Sequence, residues 1–318
     1  MSALAEDAAP DDAPPADAPL ISWNEASARA RVAAFVDPGS FVEFLGPEAR
    51  ETSPHLDVFD LPKQFDDGMI VGRARLGGAP VLVAAQEGRF MGGAFGEVHG
   101  AKLVGLLRAA TASRGKIRAL LILFDTGGVR LQEANAGEIA IAEIMRAVLD
   151  ARARGVAVVG LIGGRAGCYG GGGLISGCCG ALAVSEEGRI SVSGPEVIET
   201  NRGVEEFDSR DRALVWRTMG GKHRRLLGVA QAFCEDTAKS FRDAALTLME
   251  SPPPFDLATM LKEQARLERR LERFGAARDG RDVWALLGAP DPAAVPDLST
   301  ADFLALAGKI AEDAHDAR

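Results

Sequence analysis

The stretch GVAVVGLIGGRAGCYGGGGLISGCCGALAVSEE, residues 155–187, sets the tightest limit on what this chain can fold into. Its centre, GGRAGCYGGGG, holds seven glycines in eleven residues. Glycine loses more backbone entropy on folding than any other residue, and at this density it usually marks a flexible linker. Here the run lies between VAVVGLI and ALAV, two apolar segments of buried-strand type. A linker does not sit between two core strands. A sharp strand-to-helix turn does.

The same unit recurs along the chain. Regular alternation begins near residue 69, where MIVGRARL and APVLVAAQ read as a hairpin turned at Gly77-Gly78. EVHGAKLVGLLRAATAS reads as a helix, RALLILFD (118–125) as a fully buried strand, and TGGVR as a turn. The spacing predicts one long helix over roughly 131–154, with Ile141, Ile144, Met145, Val148 and Leu149 on one face. A strand, the glycine run, a short helix near 172–179 and the strand ALAVSE follow. RISVSGPEVIE reads as a further strand and a helix with Pro195 in its first turn. Strand, glycine turn and helix in succession predict a parallel, crossover α/β architecture. Residues 21–66 read as an irregular lead-in, and LATMLKEQARLERRLERFG as an exposed amphipathic helix ahead of a Pro-rich stretch and a last short helix.

Composition narrows the function. The net charge is -9, and no basic run stands out, so a nucleic-acid surface is not expected. MSALAEDAAPDDAPPADAPL lacks the basic start and apolar stretch of a signal peptide and reads as a solvated, disordered tail. No apolar run is long enough for a membrane span, and a cytoplasmic location is expected. Cys168, Cys178, Cys179 and Cys234 form no C-x-x-C pair, so no zinc ribbon is expected. They read as small buried thiols.

A helix that starts in a glycine turn presents unpaired backbone N–H groups and a partial positive charge. A phosphate-binding P-loop fits poorly, because Gly173-Leu174 stands where Lys-Ser/Thr belongs. A dinucleotide fingerprint fails at Ser176, which takes the place of its third glycine. An oxyanion hole remains, and it is best built from donors on two turns. The chain offers Thr126-Gly127-Gly128-Val129 and Gly170-Gly171-Gly172-Gly173, one strand apart. The alternative is that these glycines simply allow close strand-to-helix packing.

Four strings then occur in one order: FMGGAFGEVHGAK (90–102), FDTGGVRLQEANAGEI (124–139), the glycine run, and GRISVSGPEVIE (188–199). Together, over roughly residues 69–230, they resemble the carboxyltransferase family of the crotonase-like superfamily. GEVHGAKLVGLL, GGRAGCYGG and GPEVIETNRGVEEFDSRDR are most similar to its biotin-independent, malonate-decarboxylating branch. The chain has neither the zinc-ribbon cysteines of the acetyl-CoA carboxylase β subunit nor a Met-Lys-Met biotin site.

The resemblance implies a crotonase-like spiral of ββα units. The expected division is a tail at 1–20, a carboxyltransferase domain at 21–250 and a helical C-terminal extension at 251–318. It implies a γ subunit of the same fold, an acyl carrier protein bearing malonate on a phosphopantetheine arm, and a transferase subunit that loads it. No cofactor or metal bound by this chain itself is expected. The implied reaction is decarboxylation of a malonyl thioester to an acetyl thioester. The alternative is a carboxyltransferase β subunit of a biotin-dependent acyl-CoA carboxylase or decarboxylase.

By the same resemblance, the donors to the reacting thioester oxygen are the N–H groups of Gly128 or Val129 on one turn and of Gly171 or Gly172 on the other, with Gly127 and Gly170 beside them as further candidates. Gly92 and Gly93 of the FMGG loop join Arg130 and Arg165 as expected substrate contacts. The proton donor to the enolate carbon would be His99, Tyr169 or Glu97, or a group on the γ partner. A packed aromatic is the alternative for Tyr169, and a structural histidine for His99.

Overall fold

The computed structural model describes residues 21–58, 65–113 and 115–316. The tail expected at 1–20 lies outside them. Along the chain run α1 (Ala28–Phe35), β1 (Val42–Phe44), α2 (His55–Val58), β2 (Met69–Leu76) and β3 (Ala79–Gln86). Next come α3 (Glu97–Ala112), β4 (Ala119–Phe124), α4 (Ala136–Ala153), β5 (Ala157–Ile162), α5 (Gly171–Cys178) and β6 (Ala181–Ser185). The remainder is α6 (Pro195–Arg202), α7 (Arg212–Met219), α8 (Gly221–Leu226), β7 (Ala232–Cys234), α9 (Ala238–Glu250), α10 (Leu257–Phe274), α11 (Gly280–Leu286) and α12 (Thr300–Asp316).

The strands form one sheet in sequential order, β1 to β7. β1, β2 and β3 pair antiparallel, and every later pair is parallel. β4 and β5 are buried along their whole length, which is why they read as continuous apolar runs. Alternate side chains serve two cores. Leu120, Ile122 and Phe124 pack with α3 and α4 on one face. Leu121 and Leu123 pack on the other face with Trp23, Phe35 and Phe241, from the lead-in, α1 and α9.

A second, shorter ladder crosses the carboxyl ends of these strands. Phe95 bridges Val129, Thr126 bridges Cys168, and Cys168 bridges Ile190, all parallel. The turns after β3, β5 and β6 thus contribute one residue each, and the turn after β4 two, to a layer above the main sheet. This layer joins the two glycine turns.

Four local expectations are corrected. The helix expected over 131–154 is interrupted: Leu131–Glu133 is a single 3-10 turn, Ala134 has φ 49°, and α4 starts at Ala136. Tight packing sets that restart, because a Cβ at Gly137 would lie 2.4 Å from Val129 Cγ2. The strand expected after Gly188 is not regular. Arg189 and Ile190 make only single bridges, because the chain has left the main sheet to cross its strand ends. The irregular lead-in contains α1, whose Ala28, Arg31, Val32 and Phe35 are buried at i, i+3, i+4 and i+7. The last helix spans 17 residues and is not short.

Candidate functional site

The site lies where β4 and β5 end. Two turns meet there: 125–130 after β4 and 163–170 before α5. Thr126 N–H donates to Gly167 O at 2.8 Å, and Tyr169 N–H to Thr126 O at 3.0 Å. Gly170 has φ 56° and ψ -126°, a combination that side chains disfavour. A Cβ there would stand 3.0 Å from Gly128 Cα. The two glycine turns are therefore in backbone contact, as an oxyanion hole with donors on two turns requires.

The donors can be sorted by their partners. Gly127 N–H is spent on Gly92 O at 2.8 Å, and Gly172 N–H on Tyr169 O at 3.0 Å. Gly128 N–H reaches Thr126 Oγ1 at 3.1 Å. The N–H groups of Val129, Gly170 and Gly171 have no acceptor among the described residues. Free donors on both turns, beside a helix N-terminus, suit an oxygen that gains negative charge.

The packing alternative also holds for part of the run. Cβ atoms at Gly171, Gly172 and Gly173 would meet Ile141 Cδ1 at 2.0 Å, Thr126 Cγ2 at 2.3 Å and Ser191 O at 2.3 Å. These glycines seat α5 against α4 and the upper layer. In the FMGG loop, Gly92 and Gly93 have φ 65° and 67°, and a Cβ on Gly93 would fall 1.8 Å from Asp125 O. That loop lies directly against the first turn.

A buried polar network supports the turns from below. The Asp125 carboxylate accepts from Ala166 N–H at 2.6 Å and pairs with Arg31 at 2.8 Å. Gln86 Oε1 accepts from Asp125 N–H, and Gln86 Nε2 donates to Gly93 O, both at 3.2 Å. One side chain thereby ties the FMGG loop to the start of the first turn. Sequence reasoning passed over Asp125, Gln86 and Arg31. The signal available was the charge of Asp125 directly at the end of an apolar strand.

Arg130 is not a free anion ligand, contrary to the sequence expectation. Its guanidinium donates to Ala94 O, to both oxygens of Asp66, to Glu133 and to His99 Nδ1. Every N–H of the side chain is taken, and the residue is buried. Burial alone would raise the Asp66 pKa, but the Arg130 guanidinium outweighs it and holds Asp66 below the usual carboxylate range.

His99 is likewise corrected as the proton donor. It is fully buried, its Nδ1 accepts from Arg130, and its Nε2 lies 3.2 Å from Gln86 Nε2. Burial, then the Arg130 charge, push its pKa down to about 3. It is a neutral structural histidine at physiological pH. Glu97 is half-exposed and holds Ser53 and His55 at 2.8 Å each.

Tyr169 follows the bridge residue Cys168 and packs with Val215 and Met219. Its hydroxyl is buried without a partner among the described residues, and burial raises its pKa. Arg165 is exposed and lines a small cleft with Arg31, Glu87 and Arg89. Cys168 is pushed up to about 12 by burial, so its thiol is protonated.

Known proteins match this architecture. The carboxyl transferase domain family covers residues 22–241. The malonyl-S-ACP:biotin-protein carboxyltransferase of Malonomonas rubra is 38% identical over 309 residues, spanning 91% of this chain and 96% of that protein. A Pseudomonas malonate decarboxylase hetero-tetramer, solved in complex with malonate, superposes with TM-score 0.76 at 40% identity. That match covers 84% of this chain and 98% of the other. A Pseudomonas malonate decarboxylase hetero-dimer gives TM-score 0.62 at 36% identity, covering 80% and 96%. These two solved neighbours are hetero-oligomers. Among the described residues, no helix is long and apolar enough to cross a membrane.

Proposed function

This chain belongs to the carboxyl transferase family, and on that premise we propose that it removes CO2 from a malonyl thioester carried by an acyl carrier protein. It does so as one subunit of a malonate-decarboxylating complex. The observation that carries this reading is the contact of Gly128 with Gly170, which joins two turns whose Val129, Gly170 and Gly171 N–H groups have no acceptor among the described residues.

Direct loss of CO2 from malonate would leave charge on a carbon beside a carboxylate. In a thioester, the electron pair of the breaking C–C bond moves onto the carbonyl oxygen as an enolate. Donors aimed at that oxygen bind the transition state more tightly than the substrate. Loss of one such donor costs about 2.7–4 kcal/mol. The enolate carbon then takes a proton. With His99 sealed, that proton comes from water, from the subunit that completes the site, or from Tyr169. The partners this requires are a γ subunit of the same fold, the carrier protein with its phosphopantetheine arm, and a malonyl-loading transferase.

A second reading is favoured by the Malonomonas relative, which acts on malonyl-S-ACP and a biotin protein. Both readings share the cleavage step and differ in where the carboxyl group goes. Incubating the purified complex with malonyl-carrier protein and weighing the product tests the shared step. Acetyl-carrier protein is the expected product, and unchanged malonyl-carrier protein would refute the proposal. Activity that survives avidin supports direct release, and activity abolished by avidin supports transfer to biotin.

A further inference from the structure

A cavity of about 380 Å³ opens between α8, the C-terminal half of α10, and α12. Arg225, Arg266, Arg269, Arg270 and Arg273 line it, over a floor of leucine, phenylalanine and isoleucine side chains. Glu263 pairs with Arg266, but no carboxylate lines the cavity among the described residues. Arg225 Nε is buried without an acceptor among those residues. Burial lowers the pKa values of Arg225 and Arg270, and burial and then the Arg270 charge push Arg224, behind them, down to about 10. Like charges this close and partly desolvated are costly unless an anion answers them.

The shape of the cluster indicates what kind of anion. Arg266, Arg270 and Arg273 fall at i, i+4 and i+7 of α10, a stripe about 10 Å long at 1.5 Å per residue. Beside it Leu267 and Leu271 are exposed, and α10 buries no residue. Cations flanking apolar anchors along two helical turns match an extended acidic surface better than a single phosphate. A chain of contacts runs from beside the cleft to the second glycine turn. Arg224 Nε donates to Ile190 O at 2.8 Å, and Ile190 bridges Cys168, two residues before Gly170.

We propose that this arginine cleft is the docking surface for an acidic face of the carrier protein that presents the malonyl thioester, an inference that rests on the function proposed above. Docking there places the carrier beside α8, whose Arg224 contacts the layer that carries the second glycine turn.

The test uses the intact complex with the double variant Arg269→Glu, Arg273→Glu, both at exposed positions. Three substrates are compared: malonyl-carrier protein, malonyl-coenzyme A and malonyl-N-acetylcysteamine. Binding of fluorescent carrier protein is measured alongside. The expected result is a roughly tenfold rise in KM and in Kd for the carrier protein, with kcat and both small substrates unchanged. Unchanged carrier-protein Kd overturns the proposal. An equal KM rise for malonyl-coenzyme A overturns it in favour of a phosphate site. Loss of activity on all three substrates overturns it in favour of a role in the fold or the chemistry. A wild-type complex that decarboxylates none of the three refutes the proposed function instead, while the binding measurement still decides the docking surface.

Discussion

Replacing Gly170 by alanine perturbs the site where the two turns touch. The added Cβ would stand 3.0 Å from Gly128 Cα, whereas carbon atoms rest at about 3.5–4.0 Å. The turns must therefore part by about 0.5–1 Å. The residue would also hold φ 56° and ψ -126°, a strain of about 1–3 kcal/mol for a non-glycine residue. A misplacement of about 1 Å costs about 100-fold in rate. The free donors are Val129 on one turn and Gly170 and Gly171 on the other, so parting the turns separates them. If these donors act on charge that develops during reaction, as proposed, kcat should fall about 100-fold while KM stays within about twofold. The assay is steady-state decarboxylation of malonyl-N-acetylcysteamine by the complex, with thermal melting and copurification to show that it is folded. A folded complex whose kcat stays within threefold, an allowance of about 0.6 kcal/mol, would refute the two-turn oxyanion hole.

Three further outcomes are expected. Tyr169→Phe removes a buried hydroxyl that has no partner among the described residues, so melting should not fall and kcat should change less than about threefold; a loss of about 100-fold would identify Tyr169 as the proton donor. Arg130→Met leaves Asp66 and Glu133 buried without their cation, which should cost about 3–5 kcal/mol; a denaturation midpoint like that of the wild type would contradict this. His99 and His223 both have pKa values lowered to about 3 in the fold, against about 6.5 unfolded. Below pH 6.5 the unfolded chain binds more protons than the folded one, so stability should be intact above that pH and fall as pH drops towards 3. Thermal midpoints at pH 7.5 and 5 test this, and equal values would refute it.

Much of the fold was legible because the central strands are buried on both faces and the turns between them carry glycine. The hairpin at Gly77-Gly78, β4, β5 and α5 all follow from those two signals. What escaped reading depends on tertiary contacts. The break at Ala134 comes from a turn that is anchored on its N-terminal side by Arg130, whose partner Asp66 lies 64 residues away. No local pattern encodes such a pairing. The same pairing explains why Arg130 looked like an anion ligand. A cation beside a glycine turn is equally suited to substrate and to a distant carboxylate, and only the fold decides between them.

The glycines themselves show why spacing could not separate chemistry from packing. A Cβ at Gly171 or Gly172 would push on the Ile141 or Thr126 side chain, and one at Gly173 would meet the Ser191 carbonyl, whether or not an N–H is needed. Gly128 differs: at φ 138° an added Cβ would find no atom closer than 3.9 Å. Packing does not demand glycine there, and backbone conformation does. A helix held that close to its neighbour has its first N–H groups fixed in place without side-chain caps, and α5 has no side-chain cap. In the proposed oxyanion hole, the packing that crowds 171–173 would also hold the Gly170 and Gly171 donors in place. Rigid donors are the ones that need no reorganisation when charge appears.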